Sequence, residues 1–383
     1  MSPPPPPHPS HPPRAYAAIE LDAVRDSVAA LVARAGAAAT MAVVKADGYG
    51  HGMLPCARAA LDAGASWLGT AFLEEALALR AAGITVPVLS WLAAPGERLA
   101  AGIAADVDLS ASASWALDDL AAAARGVGRA ARVHLKIDTG LGRAGATGED
   151  WPGLCDSAVA LEADGLIEVV GVWSHFAFAD APGHPTVRAQ ISRFGDAVDV
   201  ARKAGLRPQV RHLANSAATL VSPEAHFDLV RPGVSVYGLS PGPEIGPPSA
   251  FGLRPAMTLH ASTALVKRVP VGTGVSYAHR YRTSAETGLA VVPLGYADGI
   301  PRSATNVAEV LVGGRRRRIA GTVCMDQFVV DVGADPVRAG DEVILFGPGD
   351  RGEPTADDWA RALGTINYEI VTRIGPRVPR VYV

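Results

Sequence analysis

Met41-Ala-Val-Val-Lys-Ala-Asp-Gly-Tyr-Gly-His-Gly52 joins an apolar run to a lysine, and then to a glycine-broken turn carrying Tyr49 and His51. Residues 41–44 have the composition of a buried β-strand, and Lys45 closes it. A charge at the end of such a strand is costly unless it is paired or its pKa falls. An amine with a lowered pKa is what Schiff-base chemistry requires. The glycines behind it let backbone come close to a ligand. Lysines also cap strands and snorkel to water, and taken alone Lys45 is most simply one of these. The rest of the chain reverses that reading.

Working outward, the pattern repeats. Apolar strand-like runs follow at residues 67–71, 87–91, 106–109, 132–137, 168–173, 209–212 and 227–230. Between most of them lie Ala-rich helical stretches, at 54–63, 74–82, 113–124, 156–163 and 187–204. With 41–44 the strands make eight, which suits a (β/α)8 barrel, although a doubly wound sheet uses the same local pattern. In a barrel, active residues sit at the C-terminal ends of strands. Lys45, His175, the pair Asn215-Ser216 and Arg231 all fall just after expected strand ends.

Upstream, 16–21 reads as a short strand and 22–35 as a helix. Near Pro241 the character changes through Pro-Gly-Pro-Glu-Ile-Gly-Pro-Pro248, a boundary loop. Beyond it β-type runs dominate, at 257–266, 289–294, 309–312, 328–332 and 342–346, with one helical stretch at 356–363. The expected organisation is a Pro-rich disordered tail at 1–14, an α/β barrel at 15–250 and a mostly-β domain at 251–383. The strand at 16–21 is free to join the second domain.

Composition bounds the function. The 383 residues are 49% hydrophobic and 19% charged, with a formal net charge of −3, which gives nucleic-acid binding no support. Arg315-Arg316-Arg317-Arg318 follows Gly313-Gly314 and reads as a hairpin strand with a solvated face. Cys56, Cys155 and Cys324 cannot all pair and lack metal spacing, so a reduced, cytoplasmic compartment is expected. The opening MSPPPPPHPSHPPR has no apolar core of a signal peptide, and His8 and His11, lying inside it, are poor metal-site candidates. No apolar run reaches the ~18 residues of a membrane span.

Several constellations carry chemistry. Gly140-Leu-Gly142-Arg143-Ala-Gly145 matches a dinucleotide fingerprint, with Asp164 at a suitable distance, but it sits in mid-series. A glycine turn presenting Arg143 to a carboxylate or phosphate is the better reading. Lys136 and Asp138 share a strand face, and for Asp138 a plain salt bridge suffices. His175 ends an apolar strand, where most histidines are structural. Ser216 at a helix N-terminus serves equally well as a cap or as a phosphate ligand. Arg231-Pro-Gly233-Val234 falls at the phosphate position after strands seven and eight of a barrel. In the second domain Tyr277, Tyr296, Cys324-Met325-Asp326-Gln327 and Tyr368 stand out, and tyrosines outside a core are commonly interface residues.

Together these pieces resemble the alanine racemases, pyridoxal-phosphate enzymes with a barrel and a C-terminal β domain. AVVKADGYGHG, HLKIDTGLGRAG, SHFAFAD, ANSAA, RPGVSVYG, GVSYAHRY, PLGYADG, CMDQ and INYEI occur in the family's order, across all but the proline tail. The resemblance implies that Lys45 carries pyridoxal 5'-phosphate and is one of two catalytic bases. Tyr277, reaching from a partner subunit of a homodimer, is the other, on the opposite face of the substrate Cα. It implies that Tyr49, His175, Asn215, Ser216, Arg231, Gly233, Val234 and Tyr368 surround the cofactor, with Arg231 at the pyridine nitrogen. A tyrosine needs cationic neighbours to act as a base near neutrality, and the family puts the counterparts of His175 and Arg231 there. Arg143 and Met325 would meet the substrate carboxylate. Lys136 matches a lysine that is carbamylated in family members, and Tyr296 and Asp326 would support the site. The implied activity is interconversion of L- and D-alanine for peptidoglycan, with no nucleic-acid, metal or membrane partner. Thr322 departs from the family, where many members carry arginine at the substrate entrance. Rival readings are a broader or serine-acting racemase, a pyridoxal-phosphate decarboxylase of the same architecture, and a single-barrel cofactor carrier. Arg231 weighs against the decarboxylase, and the second domain weighs against the carrier.

Overall fold

A computed structural model describes residues 14–383. The expected tail, 1–14, lies outside these residues apart from Arg14, whose guanidinium pairs with the fully buried Asp298 at 2.7 Å. The chain divides into two compact units, one of residues 21–254 and one joining 14–20 to 255–383.

The first unit is the barrel. After β1 (Ala15–Ile19), which belongs to the other unit, come β2 (Ala39–Val43), β3 (Trp67–Thr70), β4 (Val88–Ser90) and β5 (Asp108–Ala111). They are followed by β6 (Ala131–Lys136), β7 (Ile167–Trp173), β8 (Val210–His212) and β9 (Leu229–Val230). These eight strands pair in parallel in the order β8-β7-β6-β5-β4-β3-β2-β9. Asp228 N donates to Arg211 O (3.0 Å) and Arg231 N to Ala214 O (2.9 Å), which joins the two ends of the ladder. That closure settles the choice between barrel and doubly wound sheet. Met41, Trp67, Leu89, Val170 and Leu229, from five strands, form one buried cluster. Helices separate most of the strands, among them Leu21–Ala35, Met53–Asp62, Ser114–Val127 and Pro185–Ala204. The last is started by Pro185, whose missing N–H is no loss at that position, and by His184, whose ring nitrogen accepts from Thr186 N.

The second unit is β-rich. A six-stranded sheet runs in the order β16 (Arg315–Arg318), β15 (Glu309–Val312), β18 (Glu342–Phe346), β10 (Met257–Ser262), β1, β19 (Arg380–Tyr382). A three-stranded sheet joins β11 (Leu265–Val269), β14 (Thr287–Val292) and β17 (Phe328–Gly333), and β12 (Gly274–Val275) pairs with β13 (Tyr281–Arg282). The four arginines of β16 form the expected hairpin with β15, and Arg316 and Arg317 reach Asp358 and Asp335. The helix Ala356–Leu363 carries a reciprocal cap. Asp358 N donates to Thr355 Oγ1 and Thr355 N to Asp358 Oδ2, both at 3.1 Å.

Candidate active site

Lys45 sits where β2 gives way to a turn of the wrong hand. Ala46, Asp47, Gly48 and Tyr49 have φ of 53°, 51°, 62° and 52°. For each non-glycine residue this left-handed conformation costs about 1–2 kcal/mol. The turn is held by hydrogen bonds from Ala46 N to Glu75 Oε1 (2.7 Å) and from Met53 N to Asp47 Oδ1 (2.8 Å). Gly48 N also donates to Val44 O at 2.9 Å. The other carboxylate oxygen of Glu75 takes Ala71 N and Phe72 N, so one side chain locks the turn to the loop after β3. The Lys45 amine lies 5.9 Å from the centre of the Tyr49 ring and 5.8 Å from that of Trp91. Burial first, then the charge of Arg143, lowers its pKa, against a smaller opposing pull from Glu75. The amine therefore has a larger neutral fraction than an ordinary lysine, in place of the plain strand cap that Lys45 taken alone suggested.

Arg231, just past β9, is buried at 5% exposure without a carboxylate partner among the described residues. Its Nη1 donates to His212 Nδ1 (3.1 Å) and its Nη2 to Ser174 O (2.8 Å) and His175 Nδ1 (3.2 Å). Burial brings its pKa down to about 9, which leaves it cationic at neutral pH. His175 is pushed well below the ordinary histidine value by burial, and then by Arg231, Arg143, Lys136 and Lys45. It is therefore a neutral ring at pH 7. An arginine can only donate, so His175 Nδ1 is the acceptor and the ring proton sits on Nε2.

Lys136 Nζ stands 4.2 Å from the centre of the Trp173 ring. Burial, followed by Arg231 and Arg143, pulls its pKa down to about 8. Among the described residues Asp138 makes no salt bridge, contrary to expectation. Its carboxylate accepts Gly140 N (2.8 Å), Leu141 N (2.9 Å) and Gly142 N (2.9 Å), folding the glycine loop back on itself. A Cβ at Gly145 would lie 2.5 Å from Asp138 N, and the next helix opens only at Trp151. The loop is thus a closed turn carrying the exposed Arg143, unlike a dinucleotide cradle.

Asn215, and not Ser216, caps the helix Ser216–Val221, accepting Ala218 N at 3.1 Å. Ser216 Oγ is thereby released to accept Gly233 N (2.8 Å) and Ser235 N (3.4 Å). With two bonds accepted, its own O–H remains to donate. A Cβ at Gly233 would collide with the Tyr49 hydroxyl, so glycine here lets backbone, serine and tyrosine converge. A buried cation without a carboxylate, a hydroxyl with a proton to give and an amine of lowered pKa suit an anionic phosphate, a pyridine nitrogen and an aldehyde. The donor set fits pyridoxal 5'-phosphate.

The remaining expected residues lie on the second unit. Tyr277 is 71% exposed. It is flanked by Ser276 (φ 60°), Ala278 (φ 59°) and His279 (φ 44°), a strained loop. Thr322 Oγ1 donates to Tyr277 O (2.9 Å) and Ser276 Oγ to Thr322 O (2.6 Å), which fixes that loop from β17's side of the chain. Tyr296 N donates to Cys324 O and Ala297 N to Met325 O, each at 3.0 Å, so two of the motif loops pack backbone to backbone. Asp326 accepts from Arg377 (2.8 Å), and Tyr368 lies half-buried in the helix Asn367–Thr372. Glu75, Trp91 and Trp173 support the site without having been singled out in the sequence. Glu75 carried no local signal, but Trp173 precedes the quoted Ser174-His175 and could have been found by its place at a strand end.

Family profiles described as the alanine racemase N-terminal domain and the alanine racemase C-terminal domain match residues 19–241 and 256–382. An alanine racemase of Frankia casuarinae is 83% identical over 370 residues, covering 97% of this chain and 96% of that one. One of Streptomyces coelicolor is 60% identical over 375 residues, covering 97% and 96%. The crystal structure of alanine racemase from D-cycloserine-producing Streptomyces lavendulae superposes with a TM-score of 0.97 at 60% identity, covering 98% of each chain. With its barrel, its β-rich second unit and both domain profiles matched, the chain belongs to the alanine racemase family.

Proposed function

We propose that this chain interconverts L- and D-alanine with pyridoxal 5'-phosphate, using Lys45 and Tyr277 as bases on opposite faces of the substrate Cα. When bound, the cofactor supplies an electron sink that acidifies the Cα–H of the amino acid it holds. The observation that carries the reading is Lys45: an amine of lowered pKa on a rigid left-handed turn, inside a barrel mouth of matched donors. Its neutral amine can take a proton from Cα on one face or return one there. A single base would give the proton back to the side it left, so inversion needs a second group, and Tyr277 is our candidate.

Ser216, through its spare O–H, the backbone at Gly233 and Val234, Tyr49 and Tyr368 would hold the phosphate, with Asn215 fixing the helix on which Ser216 sits. Arg231 would donate to the ring nitrogen. An arginine does not hand over its proton, so a ring held there would stay unprotonated and would draw electrons less strongly. Arg143 and Met325 would orient the substrate carboxylate, with Lys136, Tyr296 and Asp326 in support, and His175 would stand beside the second base as a neutral ring, leaving Arg231 as the cationic neighbour. The exposed Tyr277 supports a homodimer that shares its sites. Three free cysteines support a cytoplasmic setting, and a role in supplying D-alanine for peptidoglycan goes with the activity.

The test is a racemisation assay across Ala, Ser, Lys and Arg with pyridoxal 5'-phosphate present. Alanine should be the fastest substrate by at least about a hundredfold over Lys and Arg. Serine should come nearer, since one hydroxyl is weakly discriminated. Lys45→Ala should lose activity by roughly a thousandfold or more and yield no borohydride-stable adduct. A stable adduct in that variant would overturn the assignment of Lys45.

A further inference from the structure

Arg231 is joined to the barrel core by hydrogen bonds that the mechanism above does not use. His212 Nδ1, which takes the Arg231 Nη1 proton at 3.1 Å, belongs to a ring whose Nε2 lies 2.8 Å from His134 Nδ1. His134 Nε2 in turn lies 3.2 Å from Asp108 Oδ2, and Arg132 Nε donates to Asp108 Oδ1 at 2.6 Å. Both histidines are fully buried and Asp108 is 1% exposed. The chain of contacts crosses β5, β6 and β8 and ends beyond β9.

Its direction follows from counting protons. Arg231 can only donate, so His212 Nδ1 is an acceptor and the single proton of the neutral ring is on Nε2. That proton points at His134 Nδ1, which must accept, so the proton of His134 is on Nε2 and points at Asp108. A doubly protonated His134 would offer its Nδ1 proton to a nitrogen that already bears one, and the contact would break. The arrangement therefore has one consistent state, with both rings neutral in the Nε2–H form and the carboxylate ionised. The site is built for it. A Cβ at Gly171 would collide with His134 Nδ1. Trp173 stacks flat on His212, with centroids 5.6 Å apart and planes 7° apart, and Trp67 meets His134 edge-on at 5.7 Å. Burial pushes the Asp108 carboxyl up, while the hydrogen bonds it accepts from His134 and Arg132, with the guanidinium charge of Arg132, bring it down below the ordinary value. His212 is driven well below the ordinary histidine value by burial and then by Arg231.

We propose that Asp108, His134 and His212 are positioning residues for Arg231, a one-directional relay that fixes its guanidinium as a cationic donor while keeping any carboxylate out of contact with it. Insofar as Arg231 faces the pyridine nitrogen, this rests on the function proposed above. A carboxylate touching Arg231 would neutralise it and compete for its donors. Through two polarised neutral rings the charge of Asp108 steadies the guanidinium and leaves its remaining N–H groups to the ligand.

The test begins with the unmodified full-length chain labelled with ¹⁵N-histidine, with and without pyridoxal 5'-phosphate. NMR should show His134 and His212 as neutral Nε2–H tautomers in both states, with signals assigned by proton contacts to the Trp67 and Trp173 rings that pack on them. A proton on Nδ1 of either neutral ring, or a cationic His134 at pH 7, overturns the proposal whatever the enzyme's activity. Two variants then separate positioning from packing. His134→Leu breaks the relay, while His134→Gln keeps an acceptor towards His212 and a donor towards Asp108. In the loaded enzyme His134→Leu should lower kcat about tenfold, leave KM for alanine within about twofold and shift the visible absorption of the bound cofactor. His134→Gln should recover most of both effects. A His134→Leu protein that loses thermal stability but keeps wild-type absorption and kcat shows packing alone, and the proposal falls. If neither variant folds, the tautomers of the unmodified chain decide. A chain that neither binds pyridoxal 5'-phosphate nor racemises alanine would sink the function proposed above and leave the tautomer result standing on its own.

Discussion

Lys136 and Ser216 show how single residues acquire chemistry from what surrounds them. Lys136 is a buried cation facing Arg231, Arg143 and Lys45, with Asp138 the one carboxylate that opposes its fall to about 8. The unfolded lysine titrates near 10.4. Between about 8 and 10.4 the unfolded chain therefore holds more protons than the folded one, and stability must rise with pH through that window. The full shift corresponds to roughly 3 kcal/mol, an upper bound. In bicarbonate-free buffer, where the free amine persists, urea unfolding at pH 7.5 and 10 should show a smaller rise for Lys136→Met than for the unmodified chain, the lowered Lys45 and Arg231 supplying the remainder in both. Parallel curves for the two proteins would mean that Lys136 carries no buried positive charge. Ser216 gives a second expectation. Its hydroxyl accepts two backbone N–H groups in the folded chain, and Ser216→Ala would strand both. Stability should fall by about 1–3 kcal/mol, and the apparent Kd for pyridoxal 5'-phosphate should rise at least tenfold. An unchanged Kd would remove Ser216 from the phosphate site.

At the level of elements, period and punctuation announced most of the fold. All eight barrel strands fall within or beside the runs expected from apolar periodicity, and the helix Ala356–Leu363 coincides with its expected span. Residues that end apolar strands were legible for the same reason: Lys45 and Arg231 are charges where a buried strand should carry none. The left-handed turn after Lys45 was legible only in part. Gly48, Gly50 and Gly52 signalled tight backbone, but nothing local in Ala46 says that it adopts positive φ, since its N–H is taken by Glu75 from another βα unit. The histidine relay was illegible for a related reason. Asp108, His134 and His212 are separated by 26 and 78 residues, and only strand register brings them together. If Glu75 holds the turn, Glu75→Ala should free three backbone N–H groups and destabilise the barrel by about 2–4 kcal/mol. It should also remove the one carboxylate that raises the Lys45 pKa. Trapping of Lys45 with pyridoxal 5'-phosphate and borohydride across pH would then have its midpoint at lower pH than in the unmodified chain. A midpoint that stays put, or moves up, would show that Glu75 exerts no electrostatic hold on the amine.

For the molecule as a whole, the two proposed bases lie on different units of one chain. Lys45 is sunk in the barrel mouth, whereas Tyr277 stands 71% exposed on a loop held in strained conformations by Thr322 and by Ser276. A large ring kept in water on a strained loop makes physical sense if another surface receives it, because strain of this kind persists where surrounding structure over-determines it. A second copy of the chain is the surface we propose, so that each site takes its lysine from one subunit and its tyrosine from the other. Mixing then has an arithmetic consequence. Lys45→Ala and Tyr277→Phe proteins are each expected to be inactive. A dimer with one copy of each has one site lacking both bases and one site with both intact. Random exchange of equal amounts makes about half the dimers mixed. Activity should therefore recover to roughly a quarter of the wild-type value per total site. Sites assembled within one chain would stay dead in every combination, so mixtures no more active than their parents would refute the shared site. Thr322→Val adds a check that isolates the loop. Loss of its bond to the Tyr277 carbonyl should slow the step served by Tyr277 while leaving pyridoxal 5'-phosphate binding by the barrel unchanged. Solvent-deuterium incorporation should accordingly drop from one alanine enantiomer more than from the other, and equal losses would separate Thr322 from the second base.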